Sequence, residues 1–404
     1  MDRSVTAPLL AAPGFRELWI AGGVANAMLW LEVLAAGLFT FRATGSGLAV
    51  AIVSAARSFP LLLTGVFIGV LSEAANRKRL VVVGLVLTGI TSFSVSALGL
   101  CGVLRPWHLG VAALISGVVY ATEMPVRRRM ISECAGDEAR PRAVAVDSMT
   151  NYATRCAGPI LGGVAYQSLG LPGAFLISAV CSLGASAVVS RIPYFQPIIG
   201  RFPMRRALAD LRDAVVFARA SKSLAALLGI TVVTNLFGYS YSALITPLGL
   251  QVLKVSSAMV GVLAAAEPAG SLVAGLVIAV RTPRGRPISW LAAGAAGLFV
   301  ALGLASFVGR SEHPFAPVLS VLFVGGFASA LYNIFQTTIV IDATPELLRS
   351  RMMGLVTVCI GTWPLGTVIA GALSRPLGAL GALGALGGSG LVCLGLIAAT
   401  VRRR

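Results

Sequence analysis

The feature that most constrains this chain is the position of its arginines, which cluster after every second long apolar stretch. Apolar residues make up 57% and charged residues only 12% of the 404 residues, and the mean hydropathy is +0.88. A soluble domain needs a charged surface and does not carry so apolar a composition. We therefore predict an integral membrane protein.

Twelve apolar stretches are long enough to cross a bilayer, since a helix needs about 20 apolar residues to span the hydrocarbon core. All of them are predicted to be helices, because lipid offers no hydrogen bonds to an open backbone. The stretches lie at 17–41, 45–72, 80–104, 107–126, 143–166, 173–191, 223–250, 257–280, 288–308, 316–341, 352–374 and 378–400.

Lys and Arg residues are distributed very unevenly between the two sides of these stretches. Loops on one side, the arginine-rich side, hold 25 of the 32 Lys and Arg residues, whereas loops on the arginine-poor side hold five. Because loops rich in Lys and Arg stay in the cytoplasm, both termini are predicted to be cytoplasmic. The net charge of +17 is then explained by contact with anionic membrane lipids, and we expect no nucleic-acid partner.

The chain divides into two halves of six stretches, residues 1–191 and 223–404, on either side of a long arginine-rich loop at 192–222. A segment reading acid-x-x-Arg-x-Arg ends at Arg142 in the first half and at Arg351 in the second, 209 positions later. Two parallel repeats place a small-molecule site between them that opens alternately to each side of the membrane. We predict an all-α fold of twelve transmembrane helices in two pseudo-symmetric six-helix bundles, which acts as a monomer on a small-molecule substrate.

The loop after the second stretch resembles the signature of the major facilitator superfamily. It reads Gly69-Val70-Leu71-Ser72-Glu73-Ala74-Ala75-Asn76-Arg77-Lys78-Arg79-Leu80, where members usually carry Gly-x-Leu-Ala-Asp-Arg-x-Gly/Asp-Arg-Arg-x-Leu. Glu73 preserves the acidic charge, whereas Ala74 replaces the first arginine. The resemblance implies a gate in which Glu73 pairs with a cation as a two-state latch. The alternative is a solvated run of charges that only sets the topology. The gating residues so implied are Gly69, Glu73, Arg77, Lys78 and Arg79.

The fifth stretch is similar to a segment of drug and metabolite exporters, Arg-x-x-Gly-Pro-x-x-Gly-Gly. The matching residues are Arg155, Gly158, Pro159, Gly162 and Gly163. The resemblance implies that this segment seals the inner, cytoplasmic ends of the helices. A proline kink with neighbouring glycines also fits ordinary close packing between helices.

Other residues look like the branch of the superfamily that contains bacterial enterobactin exporters. They are Thr44-Gly45-Ser46, Ala55-Ala56-Arg57, Pro60, and Pro345-Glu346 with Arg349 and Arg351. The resemblance implies a multi-pass protein of the bacterial inner membrane that exports a siderophore, drug or metabolite. It also implies a second gating segment formed by Glu346, Arg349 and Arg351.

Four charged residues lie well inside the predicted helices: Glu32, Arg57, Arg155 and Glu267. Each costs about 2.5–3.5 kcal/mol at a helix centre on insertion scales, so an unpaired charge without a role is disfavoured. Glu32 and Arg57 lie at comparable depth on adjacent antiparallel helices and are predicted to pair. We expect Glu32 to carry the proton that couples transport, because a carboxyl that exchanges partners changes its proton affinity. A static ion pair is the alternative.

Asp147 lies near the cytoplasmic end of the fifth stretch, eight positions before Arg155, so the two side chains can share a helix face. Asp147 is predicted to pair with Arg155, with Arg142 or with the signature loop. Arg155 is expected to hold an anionic substrate group, the Glu32 carboxylate or a structural partner. Glu267, which precedes a proline, is expected to line the cavity or to accept a backbone hydrogen bond.

Polar and aromatic residues inside the predicted helices are candidates for the substrate cavity. Amide side chains bind ligands, but they also join helices through hydrogen bonds worth about 0.6 kcal/mol each. The cavity candidates are Asn26, Trp30, Asn151, Asn235, Tyr239, Asn333 and Gln336.

No motif in the sequence points to an enzyme or to a cofactor. The chain has no Gly-x-x-x-x-Gly-Lys-Ser/Thr, nucleophile elbow or paired histidines, and its six cysteines form no Cys-x-x-Cys pair. We therefore expect neither ATP hydrolysis nor metal binding, and the proton gradient is the expected energy source. The prediction is a proton-coupled exporter of a small amphipathic molecule. An uptake permease of the same fold and a non-transporting sensor or lipid-handling protein are the alternatives.

Overall fold

The computed structural model describes residues 9, 12, 14–64, 76–194, 204–281 and 284–403, and all regular secondary structure among them is helical. The first part of the chain forms α1 Phe15–Thr44, α2 Gly47–Thr64, α3 Arg77–Leu100, α4 Pro106–Cys134, and Gly136–Ser190, which Gly170 divides into α5 and α6. The linker helix, Met204–Ala220, follows. The rest forms α7 Lys222–Val252, α8 Ser257–Val280, α9 Pro287–Val308 and α10 Phe315–Ala343. The helix α11 begins as Glu346–Ile360 and resumes after a two-residue turn in Trp363–Arg403, which Gly378 divides into the rest of α11 and α12.

The chain reverses direction at Gly170, between α5 and α6. Gly162 of α5 packs against Leu31 of α1, while Ser178 of α6 donates a hydrogen bond to Glu32, the next residue of α1. A continuous helix would carry these two contacts far apart, at about 1.5 Å per residue. Gly170 makes the turn at φ 68° and ψ −176°, a conformation that residues with a Cβ avoid.

A second reversal occurs at Gly378, which has φ 68° and ψ 173°. Gly366 of α11 packs against Leu236 of α7, and Ile397 of α12 packs against Gly229 of the same helix. Among the described residues, nine helices are long and apolar enough to cross a membrane, if α5 with α6 and α11 with α12 are each counted as one helix. Gly47–Pro60 is a shorter apolar helix. The predicted second stretch continues past Thr64 into residues outside the described ranges, and Gly69 and Glu73 fall there.

The second part of α7 departs from regular α-helical hydrogen bonding. Lys222–Val233 is α-helical, but Thr234–Gly238 and Leu248–Val252 form π-helical turns, with a 3-10 segment at Tyr239–Leu244. Such π turns occur frequently at functional sites. The irregular part of α7 carries two of the tyrosines that approach the site described below.

Large apolar side chains are exposed along α3, α6, α9 and α12. Examples are Ile90 at 54%, Val180 at 64%, Phe307 at 75% and Val392 at 64% exposed. In water, continuous apolar surface of this extent promotes association, whereas in a bilayer it contacts acyl chains. These four helices therefore provide lipid-facing surface.

The two halves contact each other at the arginine-poor ends of their helices. Arg42, at the end of α1, donates a hydrogen bond of 2.9 Å to Ser257 Oγ at the start of α8. The backbone N–H of Ala258 donates a hydrogen bond to Gln167 Oε1 at 3.1 Å. Gly371 of α11 packs against the backbone of Leu48 in α2. These contacts close the interface between the halves on the arginine-poor side.

Candidate functional site

A salt bridge between α5 and α8 joins the two halves. Arg155 Nη2 lies 3.4 Å from Glu267 Oε2, and the two side chains are 33% and 3% exposed. The prediction that Arg155 pairs with Asp147 or Glu32 is wrong, because the close packing of α5 on α8 brings a carboxylate from the other half within reach. We call Arg155 and Glu267 the inter-half pair.

Aromatic side chains surround the inter-half pair. The ring centroid of Trp30 is 5.4 Å from the guanidinium carbon of Arg155, within the range of a cation–π interaction. Tyr239 and Tyr241 lie near enough to Arg155 to interact with its charge. Ser271 Oγ donates a hydrogen bond of 3.1 Å to the carboxylate of the pair. Charged and aromatic groups from α1, α5, α7 and α8 thus converge on one place.

An apolar crevice with a cavity volume of about 390 Å³ lies between α5, α8 and α10. Its wall includes Ala266, the residue before Glu267, and Ile160, which lies on α5 beyond Arg155. The other lining residues are Val262, Ala265, Ala269, Leu319, Ser320, Phe323 and Val324. Neither Arg155 nor Glu267 is among its lining residues, and Val324 in its wall is 63% exposed, so the crevice is an open apolar groove next to α8.

Glu32 and Arg57 form an ion pair, as the sequence predicts, but the pair lies inside the first half. Arg57 Nη2 is 3.4 Å from Glu32 Oε2. The other carboxylate oxygen accepts hydrogen bonds from Ser92 of α3 and, at 2.7 Å, from Ser178 of α6. A buried charge is tolerated when its hydrogen bonds are satisfied in this way. Glu32 therefore points into a bundle of α1, α2, α3 and α6 and not towards the second half.

Asp147 belongs to a third group of charges, at the arginine-rich ends of α4 and α5. Its carboxylate lies 2.7 Å from Arg127 Nη1 and 3.5 Å from Arg128 Nε, and Arg127 Nε is 3.3 Å from Glu123. The predicted partners of Asp147, Arg155 and Arg142, are therefore wrong. Sequence reasoning missed Glu123 and Arg127 because it assigned the arginine run to a loop. The four-residue spacing of Glu123 and Arg127, which favours pairing on a helix, was the available signal.

The amide side chains proposed for the cavity mostly join helices. Asn26 of α1 donates hydrogen bonds to Asn151 Oδ1 at 3.2 Å and to Thr154 Oγ1 at 2.5 Å on α5. Asn333 donates to Tyr239 OH at 2.8 Å and so links α10 to α7. These contacts correspond to the alternative that amides hold helices together.

Asn235 and Gln336 lie in the buried contact between α7 and α10. Gln336 Nε2 donates to Thr231 Oγ1 at 2.9 Å and to Tyr332 OH at 2.7 Å, and Asn235 Nδ2 donates to the Thr231 carbonyl at 2.9 Å. Both amides are at most 6% exposed. Of the cavity candidates, Trp30 and Tyr239 approach the inter-half pair, whereas Asn235 and Gln336 have partners within the second half.

The cations of the signature loop contact the end of α4 and the segment after α6. Arg77 Nη1 is 2.8 Å from Glu133 Oε1, and Lys78 Nζ donates to the carbonyl of Ile192 at 2.7 Å. The Tyr194 hydroxyl donates to Glu133 as well. Burial raises the pKa of Tyr194 to about 12, so this hydroxyl remains a donor at physiological pH. The partner expected for these cations, Glu73, lies outside the described residues.

Replacing Arg77 by alanine is expected to destabilise the protein by about 1.5–3 kcal/mol, the contribution typical of hydrogen bonds to a charged group. Arg77 is 4% exposed, and its removal takes away the buried cation that pairs with Glu133. Thermal unfolding of the purified protein in detergent measures the effect. Arg79→Ala is the control, because Arg79 is exposed, and equal melting temperatures for the two variants would contradict the expectation.

The Gly-Pro segment of α5 packs against α1 and α8. A Cβ at Gly158 or Gly162 would lie 2.5–2.6 Å from atoms of Trp30 and Leu31, and one at Gly163 would lie 2.4 Å from the carbonyl oxygen of Ser257. Ser257 begins α8 on the arginine-poor side. Close packing is therefore present, but the segment joins the halves at the end opposite to the one implied by the resemblance to exporters. Pro159 takes part through its carbonyl, which faces Gly261 of α8.

The second gating segment contacts the linker helix. Arg351 Nη1 lies 3.0 Å from Asp213 Oδ2 of that helix. Arg349 Nε donates to the Thr344 carbonyl at 3.2 Å, and Glu346 is exposed in the first turn of α11. Across the described residues, no group of three or more His, Cys, Asp or Glu side chains is placed to hold a metal ion.

The helical architecture, the apolar faces and the charged site between two halves define a membrane transporter of the major facilitator fold. The chain belongs to the transmembrane secretion effector family of the major facilitator superfamily, whose sequence profile matches residues 3–404. The uncharacterized MFS-type transporter YfiS of Bacillus subtilis strain 168 is 26% identical over 172 residues. That match spans 42% of this chain and 38% of the length of the relative.

Solved structures of other transporters share this fold. A POT family transporter in complex with 5-aminolevulinic acid has a TM-score of 0.77 at 11% identity, and 97% of this chain and 96% of that chain are covered. A bacterial homolog of the human lysosomal transporter Spinster, in an inward-facing and unoccupied conformation, has a TM-score of 0.71 at 15% identity over 99% and 97% of the chains. At these identities the similarity concerns the fold alone.

Proposed function

We propose that this transporter exports a small amphipathic molecule, such as a siderophore, drug or metabolite, in exchange for protons. In this proposal α1–α12 cross a bacterial inner membrane twelve times, and both termini are in the cytoplasm. Residues 1–191 and 223–404 are the two moving halves, joined by 192–222. The protein acts as a monomer among membrane lipids, catalyses no covalent reaction, and uses the proton gradient without a cofactor.

The observation that carries this proposal is the inter-half pair itself, an ion pair between the two halves with the Trp30 ring beside Arg155. Arg155 is one-third exposed, so its guanidinium can exchange Glu267 for a polar or anionic substrate group. The Trp30 ring, 5.4 Å from the Arg155 guanidinium carbon, contacts the apolar part of the same molecule. A ligand that competes for a charge at the interface changes the energy of contact between the halves, as alternating access requires.

The direction of transport is inferred from the closed end of the interface. Contacts such as Arg42 with Ser257 close the arginine-poor side, which the distribution of Lys and Arg assigns to the exterior. This is the state in which an exporter loads its substrate from the cytoplasm, and the resemblance of the segment at 155–163 to exporters favours that direction. We assign the coupling proton to Glu32, because its ion pair with Arg57 is buried and intramembrane carboxyls are functional in most transporters.

Proton flux in proteoliposomes tests the proposal. Catecholate siderophores and cationic drugs such as ethidium are added under an imposed pH gradient, and a pH-sensitive dye reports proton movement. Wild-type protein is expected to show proton flux with at least one compound. Glu32→Gln is expected to reduce that flux at least tenfold, because the amide cannot release a proton. Glu312→Gln, in an exposed loop, is the control that keeps wild-type flux.

Each other result would assign a different function to this protein. Substrate movement without proton flux would indicate a facilitator or another coupling ion. Uptake of substrate together with protons would indicate the permease. Binding without any flux would indicate a sensor or lipid-handling protein, and retained coupling in Glu32→Gln would remove the role assigned to Glu32.

A further inference from the structure

A small cavity lined by both apolar and polar groups lies in the first half, and its wall holds both the Glu32–Arg57 pair and Glu123. Its volume is about 30 Å³, and its wall includes Glu32, Arg57, Tyr120, Glu123 and Ser182. One water molecule needs about 10–15 Å³ measured in this way, so the cavity has room for about two. The cavity shares no lining residue with the apolar crevice, and Tyr120 in its wall lies near enough to Arg155 of the inter-half pair to interact with its charge.

Polar atoms in the wall point to water inside this cavity. Ser182 is 1% exposed, and among the described residues its hydroxyl and Arg57 Nη1 have no hydrogen-bond partner. A buried polar group without a partner costs about 1–3 kcal/mol. Bound water removes that cost, because water in a polar cavity typically makes two to four hydrogen bonds to such groups.

A carboxylate with its own arginine lies on each side of the cavity. Glu32 of α1 faces Arg57 of α2, with Ser92 of α3 and Ser178 of α6 as its other partners. Glu123 Oε1 lies 3.3 Å from Nε of Arg127 on the same helix. Asp147 of α5 and the phenol of Tyr120 are the other titratable groups near Glu123 and Arg127.

We propose that this cavity is a hydrated proton relay, in which Glu123 receives the coupling proton from Glu32 and passes it towards the cytoplasm. The relay rests on the proton coupling proposed above. Its carboxylates belong to the first half, and Tyr120 in the cavity wall lies near Arg155 of the inter-half pair, so the relay and the substrate site are neighbours. Substrate acts on the relay through α1, which carries both Trp30, beside the inter-half pair, and Glu32.

The proton balance closes at each step. The Glu32 carboxylic acid gives its proton to a water molecule and becomes a carboxylate paired with Arg57. That water gives one proton to the Glu123 carboxylate, so the cavity keeps no net charge. Glu123 then releases the proton to Asp147 or to cytoplasmic water and is ionised again beside Arg127. Each carboxylate keeps its arginine partner throughout the transfer, Arg57 for Glu32 and Arg127 for Glu123.

Glu123→Gln tests the relay, because glutamine keeps the shape of the side chain and removes its proton exchange. We expect at least a tenfold loss of the proton flux driven by the most active siderophore or drug of the proteoliposome panel. Exchange of that compound across the membrane without a pH gradient is expected to continue. Glu123→Asp is expected to restore part of the flux and to shift its pH profile, which a purely structural role would not do.

Hydroxyl-radical footprinting tests the water independently of any substrate. Tyr120 and Met124 line the cavity, whereas Met130 is fully buried at 0% exposure in the apolar core. Labelling of Tyr120 and Met124 well above that of Met130 is expected. Labelling no faster than Met130 would show a dry cavity and overturn the relay whatever the flux measurements give.

The failures of the two proposals are distinguishable. Coupled flux that is lost in Glu32→Gln but unchanged in Glu123→Gln would overturn the relay and leave proton coupling intact. Wild-type protein that moves substrate without protons would overturn the coupling, and the relay with it, even if the cavity is hydrated.

Discussion

Replacing Arg155 by alanine is expected to abolish transport and to lower the stability of the protein. The substitution leaves Glu267, which is 3% exposed, without its cation in the middle of the membrane. Removing one partner of a buried pair costs about 3–5 kcal/mol, and the lower end applies here because Arg155 is one-third exposed. Thermal unfolding in detergent and flux of the active panel compound in proteoliposomes measure the two effects.

The double variant Arg155→Ala with Glu267→Ala separates structure from function. Because it removes both charges, we expect it to recover most of the melting temperature that Arg155→Ala loses. Transport is expected to remain at least a hundredfold reduced, because no cation is left at the interface to bind the substrate. Recovery of transport along with stability would show that the inter-half pair is only structural.

Replacing Gly117 by alanine is expected to destabilise the protein more than the same replacement at any other described glycine of the first half. A Cβ at this position of α4 would lie 2.0 Å from the carbonyl oxygen of Arg57 in α2, so the backbones must separate. Overpacking of a tight interface costs about 1–3 kcal/mol and occasionally more, and here the upper end or above is expected. The same shift moves Arg57 away from Glu32, so coupled proton flux is expected to fall as well.

Gly110→Ala is the matched control on the same helix. A Cβ at Gly110 meets no atom within 4 Å, and alanine in place of a helical glycine stabilises by about 0.5–1 kcal/mol. We expect the melting temperatures of the two variants to move in opposite directions. A Gly117→Ala variant as stable as the wild type would mean that α2 and α4 are not held in contact at this point.

The comparison of Arg127 with Arg155 shows where sequence reasoning reached its limit. Arg155 is visible as a charge inside a predicted helix, and the cost of burying it predicts a partner, whereas Arg127 falls in a predicted loop, where no buried partner is expected for it. The partner itself depends on the rotation of each helix about its axis and on which helices are neighbours. Arg155 therefore pairs with Glu267, 112 positions away in the chain, which no local pattern indicates.

The Gly158–Gly163 segment shows that the sequence predicts a close helix contact but not where in the bundle the contact lies. Small residues beside a proline predict a close contact between helices, and the contact is present with α1 and α8. The end of the bundle that this contact closes is decided by the conformation of the whole molecule. Gly69 and Glu73 of the signature loop remain predictions, because they lie outside the described residues.

The sequence by itself determined the membrane location, the helical class, the approximate positions of the helices and the superfamily. The first three follow from apolar length and from the placement of arginines, which are properties of consecutive residues and of the solvent they require. The superfamily came from the resemblance of the loop at 69–80 to the family signature. Only the tertiary structure decided that Glu32 faces the interior of its own bundle and that Glu267 completes the site between the halves. It also revealed the cavity at Glu123, because a cavity exists only where several helices fail to fill the space between them, and that space has no counterpart in the order of the residues.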